Sequence, residues 1–338
     1  MYPENNSDPY GIFIKNIEDG LKANGVNVDK VVIEGRGKGL LDKLKKYFVF
    51  YKDVSVIDFD KYDFVHLSYP SHTYLPVVFK EFNKAKLIVR LHGHDLVPIN
   101  LFQKLVFFFT KLSIVKADMV VTPSIFFYKE LLKIEEPKDY YIYPSGGLDT
   151  KIFHPKEKVM NRNLTIGYVG RIDYGKGVDV LIDAVSKLKF DFDLIIVGEG
   201  DLYDEMKHRS TMLDENQTVT FVGKIPNEHL VNYYNRFDVF VFPTLMHESF
   251  GNVAIEAMGC KVPIIGSNIG GLTDYIYENK NGYFFEAGDV DELAEKITKF
   301  NGLSLDEKNN MSDKAYKVAL KYEKNHVTNG FIKKLKEL

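Results

Sequence analysis

Leu164-Thr165-Ile166-Gly167-Tyr168-Val169-Gly170-Arg171-Ile172-Asp173-Tyr174-Gly175-Lys176-Gly177 reads as an apolar strand running into a glycine-rich turn, and a helical pattern opens at Val178. Strand, short loop and helix in that order form half of a βαβ unit. The alternation continues downstream, with strands expected at 194–197, 219–221, 239–242, 262–265 and 282–285. Upstream it predicts strands at 28–33, 64–67, 86–91, 119–122 and 140–143. Short apolar runs alternating with amphipathic segments imply parallel sheets covered on both faces. Because the series occurs twice, the fold class is α/β with two doubly wound, Rossmann-like domains. Their join falls in the polar stretch 149–163, where Pro155 and a charge run interrupt the periodicity.

The boundaries that follow are 1–155, 156–312 and a last helical segment at 313–338. That segment has no strand after it, and Tyr322, Val327, Phe331 and Ile332 are its expected apolar contacts with the first domain. The first domain opens on a loop and helix from Tyr2-Pro3 without the strand expected before them. A chain of 338 residues with 45% hydrophobic and 27% charged residues can bury two cores. The net charge of -3 and the dispersed basic residues point away from nucleic acid. One cysteine, Cys260, inside an apolar stretch, excludes an internal disulfide framework and fits a reducing compartment. The polar opening residues and the lack of a membrane-length apolar run lead us to expect a cytoplasmic protein.

Within the quoted turn, Arg171 offers a planar fork and Lys176 a mobile point charge, a pair able to neutralise a diphosphate without a metal. The competing reading is a solvated loop in which Arg171 pairs with Asp173. Further on, His247-Glu248-Ser249-Phe250-Gly251-Asn252-Val253-Ala254-Ile255-Glu256 sets two carboxylates, Glu248 and Glu256, across a loop-to-helix junction. Free N–H groups at a helix start suit an anion, and Gly251 lets the backbone come close. Hydroxyl acceptors on either side of a phosphate site fit a nucleotide sugar; an ordinary amphipathic helix with an acidic first turn is the alternative. Val197-Gly198-Glu199-Gly200 lacks the third glycine of a dinucleotide fingerprint, so it reads as a tight turn near the ligand. In the first half, the strand at 86–91 delivers His92-Gly93-His94-Asp95 at its carboxyl end, where open α/β sheets place ligand groups. Asp95 reads as the cap of the next helix. The segment 99–116 carries adjacent Phe107, Phe108 and Phe109 beside Lys104 and Lys111. Those rings cannot share one helix face, so they either fill the core or meet a membrane.

Taken together these pieces resemble glycosyltransferase family 4, retaining transferases of the GT-B fold. The likeness runs through His92-Gly93, Gly146-Gly147-Leu148-Asp149, Gly170-Arg171 with Lys176-Gly177, Val197-Gly198-Glu199-Gly200, Phe221-Val222-Gly223, Pro243-Thr244, the Glu248 to Glu256 stretch and Gly270-Gly271. The resemblance implies an acceptor-binding first domain, a nucleotide-sugar-binding second domain, and a final helix crossing back to the first. It implies Arg171 and Lys176 on the donor diphosphate, Glu256 on the ribose, and Glu248 on the transferred sugar, with the backbone of Phe250, Gly251, Asn252 and Val253 nearby. Gly198 would lie near the ligand, Gly223, Lys224 and Ile225 would face the base, and His92 would approach the donor sugar. The chain departs from the family at 4–10, where the glycine-rich phosphate turn is altered. The implied activity is metal-independent, retaining transfer from a nucleoside diphosphate sugar to an acceptor in polysaccharide synthesis, with no cofactor; the phenylalanines and lysines of 99–116 add the expectation of a glycan or polyprenyl-linked acceptor and a peripheral contact with the inner face of the cell membrane. A catalytically silent nucleotide-sugar-binding subunit is the alternative.

Overall fold

The computed structural model describes residues 2–3, 11–35, 39–96, 101–144, 146–157, 163–213 and 217–338. Expectations placed on residues 4–10, on Ile99, on part of the join at 149–163 and on the side chain of His94 fall outside these. The chain forms two compact units, Met1–Gly147 with Lys324–Leu338, and Leu148–Glu323.

The first unit holds a 4-stranded parallel sheet of β1 (Phe64–Ser68), β2 (Lys86–Arg90), β3 (Met119–Thr122) and β4 (Tyr140–Ile142), in that spatial order. β3 is buried throughout and β2 from Leu87 on, because a parallel sheet is covered on both faces and its central strands have no wet side. The expected strand at 28–33 does not form. Among the described residues, Tyr2 supplies its cross-chain backbone pairing, with Tyr2 N donating to Ile33 O at 2.9 Å and Gly35 N donating to Tyr2 O at 3.0 Å. An apolar run without a continuous neighbouring ladder keeps an extended course but does not become a strand.

The second unit holds a 6-stranded parallel sheet of β5 (Leu164–Val169), β6 (Phe192–Val197), β7 (Thr218–Gly223), β8 (Val239–Phe242), β9 (Ile264–Ser267) and β10 (Gly282–Phe285). Their spatial order is β7-β6-β5-β8-β9-β10. This is the doubly wound order, and it reverses between β5 and β8, which makes the carboxyl ends of those two strands the expected ligand crevice. The period of two along each strand divides the interior into two cores. Ile166, Tyr168, Val239 and Val241 enter one, while Val169, Phe240 and Phe242 enter the other.

The segment 313–338 is not one helix. Leu305–Leu320 buries Met311, Ala315, Val318 and Ala319 within the second unit, and Lys324–Leu335 sends Val327 and Phe331 into the first unit's core beside Ile17 and Tyr143, with Ile332 packed against it. Tyr322 belongs to neither helix and packs edge-on to Phe250 in the second unit. Leu148 N donates to Tyr322 O at 2.6 Å and Leu148 pairs with Glu323, so backbone pairing holds the join between the two helices. Burying a side chain the size of Phe331 contributes about 1.5–3 kcal/mol, and Val327 and Leu335 are buried from the same helix.

Of the three adjacent phenylalanines on helix Leu101–Lys116, only Phe108 is exposed. Phe109 packs on the first unit's core and Phe107 is half-buried, since the buried face of this helix runs through Thr110, Ser113 and Ile114.

Candidate functional site

The loop after β5 is held in shape by backbone that no side chain could enter. Gly177, in the left-handed region at φ 73, caps helix Val178–Val185, and a Cβ there would stand 1.8 Å from the carbonyl oxygen of Pro243 at the end of β8. The loops after β5 and β8 therefore touch at the point where strand order reverses. Lys176, one residue before Gly177, places Nζ 2.5 Å from Glu248 Oε1. Thr244 Oγ1 donates to the same oxygen at 3.3 Å, so Glu248 is located by two donors from opposite sides of the switch point. Both members of the ion pair are largely buried, which strengthens the interaction over a surface pair.

Arg171 lies apart from this pair. Its Nη1 meets Asp173 Oδ2 at 2.6 Å in an exposed pair, as the solvated-loop reading expects. Asp173 also accepts from Asp201 N at 3.0 Å, and Ile172 N donates to Glu199 O at 2.9 Å, so the turns after β5 and β6 are stitched together. A Cβ on Gly198 would stand 1.8 Å from Gly170 O. Gly198 N donates to Gly223 O at 2.9 Å, which brings the end of β7 into the same row. Beyond it, Lys224 is exposed and Ile225 packs against the core.

Glu248 and Glu256 flank a helix start, but the first turn of helix Asn252–Gly259 holds no acid: Glu248 precedes it and Glu256 lies in its second turn. The N-cap is Gly251 at φ 83, which brings no side chain to the first N–H groups, and its missing Cβ would press on Phe242 and Tyr275. Phe250 is buried against Tyr275 and Tyr322, so only its backbone can face a ligand. Asn252 is exposed and Val253 half-buried. Gly271 N donates to Glu248 O at 2.9 Å, and a Cβ on Gly270 would meet Glu248 N at 2.8 Å, so the Gly270-Gly271 turn backs the Glu248 loop. Burial pushes the Glu256 carboxyl up to about 7, against the pull of hydrogen bonds from Tyr234 and Asn227. The Tyr234 hydroxyl donates to Glu256 Oε2 at 2.9 Å. Tyr234 carries no motif signal; it becomes visible only once the strands are assembled.

In the first unit, His92 follows the end of β2, and its ring stacks on Tyr69 with centroids 4.0 Å apart. Tyr69 itself sits in the left-handed region at φ 58, an uncommon place for a bulky residue. Burial, with the nearby Arg90 and His66 charges, holds His92 well below the usual imidazole range and therefore neutral. The expected capping by Asp95 of the helix Leu101–Lys116 falls on residues outside those described. Asp95 lies in the short turn Gly93–Leu96, accepting from His92 N at 2.9 Å and from Ser71 Oγ at 2.8 Å, and burial pushes its carboxyl up to about 7. The buried Arg90, donating to Tyr143 O at 3.3 Å, was not singled out from sequence. Among the described residues, no group of three or more His, Cys, Asp or Glu side chains is placed to hold a metal ion.

Residues 149–318, half of the chain, match the family described as glycosyl transferases group 1. The chain is similar to the capsular polysaccharide biosynthesis glycosyltransferase CapM of Staphylococcus aureus, 35% identical over 156 residues. That similarity covers 45% of this chain and 40% of the relative, so the chain spans well under half of that protein's length. Its fold is similar to sucrose-phosphate synthase from Thermosynechococcus elongatus, with a TM-score of 0.80 at 20% identity over 99% of this chain and 97% of that one. It is likewise similar to Anabaena HepE in complex with UDP and glucose, with a TM-score of 0.74 at 17% identity over 99% of this chain and 98% of that one. These likenesses show the GT-B fold, two parallel-sheet Rossmann-like units.

Proposed function

The chain belongs to the glycosyl transferases group 1 family, and on that premise we propose that it is a retaining, metal-independent transferase of family 4, moving a sugar from a nucleoside diphosphate sugar to a glycan or lipid-linked acceptor in cell-surface polysaccharide synthesis. The observation that carries this reading is the Lys176–Glu248 pair at the reversal of strand order, beside a helix start whose cap is a glycine. A cation, free N–H groups and a fixed carboxylate together suit a diphosphate joined to a hydroxyl-rich sugar.

In this reading Lys176 and Arg171 take the diphosphate, the amides from Gly251 to Val253 approach the sugar and phosphate, and Glu256 accepts from the ribose hydroxyls. Glu248 accepts from a hydroxyl of the transferred sugar. The turn at Gly198 and the backbone from Gly223 through Lys224 to Ile225 line the nucleotide side. The anomeric carbon–phosphate oxygen bond breaks, the acceptor oxygen bonds to the same face of that carbon, and the acceptor proton passes to the departing phosphate. The leaving group is already good, so the main demand is electrostatic: fixed positive groups stabilise charge growing on the diphosphate. The acceptor is presented at the inner face of the cell membrane, supported by the exposed Phe108 beside Lys104 and Lys111.

Calorimetry with free nucleoside diphosphates tests the assignment. Lys176→Ala should weaken binding roughly 10–100-fold, the worth of a charge-assisted contact. Unchanged affinity would remove the diphosphate from this loop.

A further inference from the structure

The first unit carries apolar surface that its cores leave uncovered. On helix Leu40–Ser55, Phe50 and Val54 are buried, while Leu41 is 83% and Phe48 71% exposed, with Leu40 and Leu44 exposed as well. At about 100° per residue, Leu41, Leu44 and Phe48 fall in one stripe on the side turned away from the buried pair. Helix Leu101–Lys116 repeats the pattern: Ser113 and Ile114 are buried, and Leu101, Leu105 and Phe108 are 84, 75 and 61% exposed on the opposite side. Between the helices in sequence, Phe79 is 95% exposed. Its segment is tied to both, since Lys80 Nζ donates to Ser55 O at 2.7 Å and Lys116 Nζ donates to Val78 O at 3.2 Å. Single exposed apolar residues are ordinary; three neighbouring elements that each present them are not.

Charge selects the occupant. Helix Leu101–Lys116 contains Lys104, Lys111 and Lys116 and no acidic residue; helix Leu40–Ser55 contains Lys43, Lys45, Lys46 and Lys52 against Asp42 and Asp53. Among the described residues, no helix is long and apolar enough to cross a membrane, so these faces suit helices lying in the interfacial plane. We propose that helices Leu40–Ser55 and Leu101–Lys116, with Phe79 between them, form one surface that docks reversibly on an anionic phospholipid bilayer. The inference deepens the proposed membrane location and rests on it, adding the helix Leu40–Ser55 and the sign of the lipid. Leucine and phenylalanine side chains enter the headgroup boundary while lysines neutralise lipid phosphates.

Sedimentation of the full chain with phosphatidylcholine vesicles, alone and mixed with phosphatidylglycerol, tests it. Wild type should pellet only with the anionic mixture and be released by salt. Leu44→Ser with Phe48→Ser should lower partitioning roughly tenfold or more, because both side chains bury in the interface. Lys104→Glu with Lys111→Glu should abolish the preference for phosphatidylglycerol. Wild type remaining in the supernatant, or either variant pelleting like wild type, overturns the proposal. So does a dimer in light scattering that the Leu44 and Phe48 changes dissolve, since a second copy would then cover the face. Calorimetry with a nucleoside diphosphate on the same preparations keeps the two readings apart: retained nucleotide binding without vesicle binding defeats only the bilayer surface, and vesicle binding without nucleotide binding defeats only the transferase.

Discussion

Lys176 Nζ and Glu248 Oε1 stand 2.5 Å apart, so the best-buried cation of the loop after β5 is already the hydrogen-bond partner of the carboxylate in the loop after β8. An ammonium has three protons to donate, and one of them is committed. A phosphate arriving at Lys176 therefore shares it with a negative group. Glu248→Gln should leave the affinity for free nucleoside diphosphate unchanged or raise it severalfold, while lowering turnover of the intact donor by roughly 100-fold. Calorimetry beside single-turnover kinetics checks this, and weakened diphosphate binding would contradict the assigned roles.

Glu256 carries a pH dependence with a definite sign. Its folded value near 7 lies above the ordinary 4.5, so the protonated form is favoured by folding. The stability it contributes is complete below its unfolded value and is lost as pH rises through about 7. Glu256→Gln should therefore raise the unfolding midpoint at about pH 8 and change it little at about pH 4, a difference on the order of 3 kcal/mol. A larger gain on the acid side would show the sign to be wrong.

The same carboxylate should read out Tyr234. A ribose hydroxyl donates best to the ionised form, so nucleoside diphosphate affinity should rise with pH through about 7. Tyr234→Phe removes a donor at 2.9 Å and should move that profile to higher pH. An unshifted profile with uniformly weaker binding would reduce Tyr234 to a packing residue.

Gly177 should tolerate nothing larger. Its φ of 73 and the 1.8 Å approach of a Cβ to Pro243 O mean that Gly177→Ala must force the loops after β5 and β8 apart. We expect a loss of about 2 kcal/mol or more in urea unfolding, with diphosphate affinity falling as well. Full stability in this variant would refute the contact.

Neutral His92 should not titrate in the physiological range. Burial and the neighbouring Arg90 and His66 hold its pKa well below the ordinary value. Its imidazole resonances should stay fixed between about pH 5 and 8 in NMR, whereas an ordinary histidine would move. A midpoint within that window would place the ring in water.

Parallel strands were readable where the local pattern and the buried outcome coincide. β5, β8 and β9 are short apolar runs with loops at both ends, and nothing distant is needed to recognise them. The run at 28–33 carries Asp29 and Lys30 among its apolar residues and depends on backbone partners elsewhere, and Tyr2 alone does not supply a ladder. The loop glycines and Glu248 were legible because their types and spacing announce them. Lys176 and Glu248 were both named, yet their contact spans 72 residues and could not be seen. Tyr234 was missed for the same reason: an ordinary tyrosine gains its role from what folding sets beside it, here Glu256. Helix Leu40–Ser55 was missed differently, since an apolar stripe in sequence looks like core until its exposure is measured.

Cys260, the cysteine counted in the composition, ends helix Asn252–Gly259 and is buried in the core that also holds Ala257 and Met258. Burial and the nearby Glu256 push its thiol up to about 12. In the native state it is neither ionised nor accessible, and an alkylating reagent must wait for the second unit to open. The protein thus carries its own clock: the rate of thiol modification under native conditions times the opening of the second unit, without an engineered label.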